Sequence, residues 1–265
     1  MSAISRLAVI FLLFLISFGA ACGTGSDDDD DNIPDSPMAH IPPGEFDMGC
    51  DSQENPICAQ DIERVFVDGF FIDIYEARAV DYQKCIDDGF CTKPHSFIND
   101  ADPLQPAIGI SYDHAEMFCE YMGKRLPTSA EWEKAARGDQ GGHNYPWGDT
   151  WNPTWANWCD GIECDGSIDG YAEFAHIDAF PENVSPYGVR NMAGNMNEWT
   201  SDIIYPEGNF DFDYAMIWRG GSYFPPNMNG DPNECMLSWK VCFEPPAAGA
   251  EHAGVRCAIS EKSEN

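Results

Sequence analysis

Between Asn157 and Tyr171 the chain places Asp160, Glu163, Asp165 and Asp169 among three glycines, and Asn191, Gly194 and Glu198 follow at close spacing. Hard oxygen donors mixed with glycines, which let backbone carbonyls turn inward, form the kind of ligand set that calcium takes. No EF-hand spacing is present. The plainer reading is a set of acidic loops facing water, in a chain with 45 Asp and Glu against 14 Lys and Arg. The formal net charge of −31 repels nucleic acid and anionic headgroups, so cationic ligands and calcium are the natural partners.

The second set with chemical potential is the 11 cysteines. Short spacings favour local pairs: Cys50 with Cys58, Cys85 with Cys91, Cys159 with Cys164, and Cys235 with Cys242. Once Cys22 near the N-terminus is set aside, Cys119 and Cys257 are left over, and even parity alone permits many other connectivities. A zinc site is the rival reading for Cys159 and Cys164 or for Cys235 and Cys242. The spacings are wider than the usual zinc pairs, however, and the six histidines (His40, His95, His114, His143, His176, His252) are scattered. Disulfides are therefore expected, as in an exported protein.

The elements that must position these groups are short and irregular, punctuated by 24 Gly and 19 Pro. Ile41 to Gly49 reads as a turn leading into a strand, and Val65 to Tyr75, rich in β-branched and aromatic residues, as strand. Three helices are expected. The first spans about Ala79 to Asp87. The second starts after Ser111 as N-cap and stops at Gly123, burying Ala115, Phe118, Cys119 and Met122. The third has the clearest start, a capping box of Thr128 and Glu131, with Trp132, Ala135 and Ala136 as its apolar face and Gly138 at its end. More than a hundred residues beyond Gly138 read as loops, turns and short strands, which in a compact domain need something to pin them.

The N-terminus reads as an export signal over residues 1–21: Arg6, an apolar run from Leu7 to Phe18, then Gly19, Ala20 and Ala21 before Cys22. Twelve apolar residues fall short of the ~20 that span a bilayer as a helix. Small residues before a cysteine resemble a bacterial lipobox with Cys22 lipidated, although Gly19 departs from its usual leucine and an ordinary cleavage site also fits. Setting aside Cys22 leaves an even number of cysteines, which favours the lipid anchor. Residues 23–37, with the run Asp27 to Asp31, have almost nothing to bury and read as an acidic disordered tether. Residues 38–265 form one large domain with ample core. The expected location is a bacterial cell envelope, with the outer membrane favoured because Gly23 stands where an inner-membrane-retaining aspartate would.

Five segments in fixed order carry a resemblance: Arg125 to Glu133, Tyr145 to Asp149, Asn191 to Asp202, Arg219-Gly-Gly-Ser-Tyr223, and Gly254-Val-Arg-Cys257. Together the chain resembles the formylglycine-generating enzyme, or sulfatase-modifying factor, family. The resemblance implies an α+β fold, a formylglycine-generating-enzyme-like variant of the C-type-lectin-like fold with much irregular structure, here disulfide-rich. It also implies a structural disulfide between Cys119 and Cys257. Two structural calcium sites carry over: Asn157, the Trp158 carbonyl, Asp169 and the Tyr171 carbonyl in one; Asn191, the carbonyls of Gly194 and Met196, and Glu198 in the other.

The family's oxidases hold copper(I) between two thiolates just after the Gly-Gly-Ser turn, soft ligands that suit that ion. In this chain the corresponding positions are Pro225 and Gly230, and neither can bind copper; Met228, a thioether nearby, reads as packing. Cys235 and Cys242 are the alternative pair for a copper-dependent oxidase, and another envelope maturation enzyme of the family is also an alternative. The histidine-bound iron of the sulfoxide-synthase branch needs a helical domain that is not in this sequence. Ser222 and Ser129 read as turn and helix-start residues and not as nucleophiles. The expected function is thus a calcium-stabilised envelope lipoprotein that binds an unknown protein, peptide or glycan without formylglycine-generating activity. Phe224, Trp239 and Phe243, in the rebuilt loop from Phe224 to Pro246, are candidates for stacking on it.

Overall fold

The computed structural model describes residues 36–49, 62–99, 101–139, 143–159, 165–205, 214–223, 240–243 (backbone only) and 251–262, all within the unit Ile33–Asn265. The expected signal segment, Cys22, most of the tether, and the Cys50 and Cys58 pair lie outside the described residues.

Among the described residues, three small sheets and three helices make up an α+β arrangement. The first sheet orders β1 (Met38–Ile41), β4 (Phe70–Asp73) and β9 (Ala258–Ser260), all antiparallel, so the last strand closes on the first. β2 (Gly44–Met48) and β3 (Glu63–Val67) form an antiparallel ribbon. The third sheet orders β7 (Lys240–Phe243), β6 (Ala215–Arg219), β5 (Asn197–Ile204) and β8 (Ala253–Gly254); its β5–β8 pair is parallel, and the β5–β6 register shifts between Trp199 and Ile203. The strands beyond Gly138 are short, as the sequence pattern suggests, and β6 is buried along its whole length. Its run Ala-Met-Ile-Trp-Arg is continuous rather than alternating, as a strand covered on both faces should be.

The helices are α1 (Ala79–Asp87), α2 (Tyr112–Tyr121) and α3 (Ser129–Arg137). α3 has the expected capping box: the Glu131 N–H donates to Thr128 Oγ1 at 3.1 Å, and the Thr128 N–H to Glu131 Oε2 at 2.7 Å. Such a cap is worth about 1 kcal/mol. Arg125 grips the same Glu131 carboxylate with two 2.7 Å bonds, so the residue before the helix is tied to its first turn. Ser111 is the N-cap residue of α2 but makes no capping bond; its hydroxyl instead meets His114 Nδ1 at 2.5 Å.

Among the described residues, two large apolar clusters fill the interior, and a smaller one gathers Trp147, Trp151 and Trp158 on Tyr145 and Ala193. Around α1 and α2, Tyr82, Phe97, Phe118 and Ile110 pack with Trp199 and Trp218 of the third sheet. Around α3, Trp132, Ala135 and Ala136 pack with Ile41, Phe46, Phe70, Ile72 and Met192. Disulfides staple this frame: Cys85 to Cys91 closes the end of α1, and Cys119 of α2 joins Cys257 across 138 residues. Cys159 is also disulfide-bonded; Cys164 lies outside the described residues.

Candidate functional site

The segments shared with the family converge on α3. Trp132 donates its indole N–H to Glu198 Oε2 at 2.7 Å, linking α3 to β5. Arg219 at the end of β6 reaches back to Glu133 Oε2 at 2.9 Å and to Ser129 Oγ at 2.6 Å. Arg137 and the Gly49 N–H both donate to Glu133 Oε1. Arg256 donates to both Glu198 oxygens, at 2.6 and 2.8 Å, and to the carbonyls of Asp73, Ile74 and Arg190. Glu133, Glu198, Arg219 and Arg256 are each no more than 1% exposed. Buried charges of this kind persist only when paired and fully hydrogen-bonded, which these are.

The two candidate calcium loops lie side by side. Gly194 sits in the left-handed region at φ +82°, and a Cβ there would lie 2.3 Å from the Asn157 carbonyl oxygen. The same carbonyl accepts the Asn195 N–H at 2.7 Å. Asn191 and Asn195 also take positive φ, 56° and 65°, a conformation that asparagine tolerates better than most residues. The Asn-x-x-Gly-Asn spacing thus encodes a tightly coiled loop that presses against the Asn157 strand of chain.

In the first set, Asn157 is fully buried and its amide nitrogen donates to the Glu173 carbonyl and to Asn195 Oδ1, while its Oδ1 has no hydrogen-bond partner. A buried orphaned oxygen is costly unless a cation or water satisfies it. Asp169 accepts the backbone N–H groups of Trp158 and Tyr171, each at 2.9 Å, which brings those two residues around it. Asn157 Oδ1 and the Asp169 carboxylate are hard oxygen donors of the kind calcium takes, and with the Trp158 and Tyr171 carbonyls they would supply part of its shell.

In the second set, Glu198 already serves Arg256 and Trp132, and the Gly194 carbonyl accepts the Met196 N–H at 2.9 Å. A cation there would share its carboxylate with a guanidinium, so the first set fits better. Among the described residues, no three His, Cys, Asp or Glu side chains converge as a metal cluster.

One member of this network was not singled out by the sequence. Glu76, 2% exposed, accepts from Asn191 Nδ2 through Oε2 and from Asn195 Nδ2 through Oε1, each at 2.9 Å. Burial pushes its carboxyl up to about 8 against the pull of Arg256, with Glu198 adding to the rise. Asn195 thereby joins the two loops through side chains, from Asn157 to Glu76 and on to Asn191. No spacing rule ties residue 76 to 195, so only the fold reveals it.

The turn that precedes the family's copper position is also tied in, by the Tyr223 N–H to the Asn195 carbonyl at 3.1 Å. The Tyr223 hydroxyl meets His252 Nδ1 at 3.2 Å, with the rings edge to face at 5.4 Å. Burial raises the Tyr223 phenol to about 12 and lowers His252, so a neutral imidazole accepting from a phenol is the stable pairing. Pro225, Gly230, Met228, Cys235, Phe224 and Trp239 lie outside the described residues; Cys242 and Phe243 are placed by backbone alone, opposite Ile217 and Met216 in β7.

Comparison with known proteins supplies the framework. The formylglycine-generating enzyme of Mus musculus is 32% identical over 220 residues, a match covering 62% of this chain and 58% of that protein. An "Inactive C-alpha-formylglycine-generating enzyme 2" of Mus musculus is 26% identical over 272 residues, covering 85% of this chain and 86% of that one. Among solved structures, PvdO from Pseudomonas aeruginosa superposes with a TM-score of 0.64 at 22% identity, covering 84% of this chain and 94% of its own. The fold is therefore the formylglycine-generating-enzyme-like variant of the C-type-lectin-like fold. Residues 27–261 match the model of the sulfatase-modifying factor enzyme 1-like domain, and the chain belongs to that family.

Proposed function

We propose that this protein is a lipid-anchored cell-envelope binding module, stabilised by calcium and disulfides and without formylglycine-generating activity. The observation that carries the reading is the pair Pro225 and Gly230 after Arg219-Gly-Gly-Ser-Tyr223, where copper(I) would need two thiolates. A relative of nearly the same extent that is named inactive supports it. Family membership is compatible with either outcome, because the fold is held by residues distinct from those that would bind copper.

The calcium part rests on the first ligand set, with Asn157 Oδ1 as its buried, unsatisfied oxygen. Calcium there would neutralise Asp169 and hold the two turns against each other. Removing it with EDTA should lower the melting temperature by several degrees, as expected for a ligand that binds only the native state. Asn157→Ala should abolish that calcium-dependent increment, and a melt indifferent to both calcium and EDTA would remove calcium from the proposal.

A further inference from the structure

The segment that supplies the first calcium set also carries a group of aromatic rings, in which Trp147, Trp151 and Trp158 pack on the buried Tyr145 and Ala193 and keep part of their surface exposed. Tyr145 is buried beneath it, stacked on Trp147 at 5.3 Å and 7° and tilted against Trp151 at 5.0 Å. Trp155 stands edge-on to Trp147 at 5.9 Å, and Trp158 edge-on to Trp151 at 5.4 Å. All four tryptophans are partly exposed. The indole N–H groups of Trp147 and Trp158 are held by the carbonyls of Thr150 and Pro153, at 3.0 Å each, which fixes their ring planes. Rigid indoles at a surface give large contact area at little entropic cost.

The charge around them selects the occupant. From 144 to 189 the chain has eight Asp and Glu and no Lys or Arg. Asp149, between Trp147 and Trp151, is exposed and lies 3.4 Å from His143 Nδ1 at the edge of the face. An aromatic face in an all-acidic segment attracts cations through the ring quadrupole and the surrounding carboxylates together. Among the described residues no three of these acidic side chains gather at one point, which suits an extended partner more than a single small cation.

We infer that the Trp147, Trp151, Trp155 and Trp158 face is a docking surface for an arginine-bearing segment of another protein, with guanidinium groups stacked on the indoles. Arginine is favoured over lysine because a planar guanidinium stacks on an aromatic face as well as pairing with carboxylate. The inference rests on the binding-module reading and supplies the partner's chemistry.

Titration of the full-length protein with an oligo-arginine peptide, read by indole fluorescence and calorimetry, tests it. About 0.3 M salt is used so that the Debye length falls to roughly 5–6 Å and diffuse attraction is screened. Saturable binding is expected, severalfold tighter than to an oligo-lysine of equal length. The double variant Trp151→Ala with Trp155→Ala should bind about tenfold more weakly. Trp155→Ala alone, which removes a ring whose aromatic contact among the described residues is with Trp147, should show part of that loss in a protein of unchanged melting temperature. Affinity unchanged in both variants, no saturable binding, or quenching by a neutral oligosaccharide where the peptide gives none would overturn the inference. Peptide binding that persists while EDTA leaves the melt unchanged supports this surface and sinks the calcium reading. A calcium-dependent melt without peptide binding sinks this surface alone.

Discussion

Arg256→Ala should destabilise the protein by about 3–5 kcal/mol, the range for stripping one partner from a buried ion pair. The guanidinium is fully buried and bonds both oxygens of Glu198, itself 1% exposed, and it is the principal positive charge facing Glu76. Its loss leaves two carboxylates close together in a dry interior, and it also frees the carbonyls of Asp73, Ile74 and Arg190 that it now satisfies. Both effects point the same way. Chemical unfolding measures the loss, and adding Glu198→Gln to Arg256→Ala should recover part of it, because the orphaned charge is then gone. A double variant no more stable than Arg256→Ala would show that the lost backbone bonds, and not the unpaired carboxylate, dominate.

The second large effect is that of the long disulfide. Replacing Cys119 and Cys257 together by alanine opens a loop of 138 residues and should cost about 5 kcal/mol in the chain-entropy model. For a domain of this size that corresponds to a fall in melting temperature of about 10–15 °C. The equivalent change at Cys85 and Cys91, only six residues apart, should cost about half as much. Both cysteines of the long bridge are fully buried in the cluster that joins α1 and α2 to the third sheet, and alanine keeps that space apolar. Differential scanning calorimetry of the two double variants gives the comparison, and equal losses would contradict the loop-length account.

What the sequence made legible was local. The Thr128 and Glu131 cap lies within one helical turn, so α3 starts where the capping box places it. α1 likewise follows from pattern, and the Cys85 to Cys91 pair from spacing. The long disulfide needed the family resemblance, since nothing local joins 119 to 257. The same limit hid Glu76, whose partners Asn191 and Asn195 are 115 and 119 residues away, and the Tyr223 and His252 pair. Glu198 shows the difference most clearly. At its spacing it reads as a calcium ligand, whereas the fold also brings Arg256 and Trp132 onto it from 58 and 66 residues away. Buried polar partners are chosen by topology, so the ligand set legible in one loop is only part of what each carboxylate meets.

This division between scaffold and chemistry is the centre of the account. The buried network of Glu133, Glu198, Arg219 and Arg256 holds α3, β5 and β6 together through bonds that need no copper ligand, so the fold is compatible with the proposed loss of both thiolates. The most direct test is a count of free thiols and of copper(I) uptake on unreduced, calcium-loaded protein. With Cys22 lipidated and the other ten cysteines paired, no free thiol and no tight copper(I) binding are expected; two free thiols with one equivalent of copper(I), traced to Cys235 and Cys242, would contradict this.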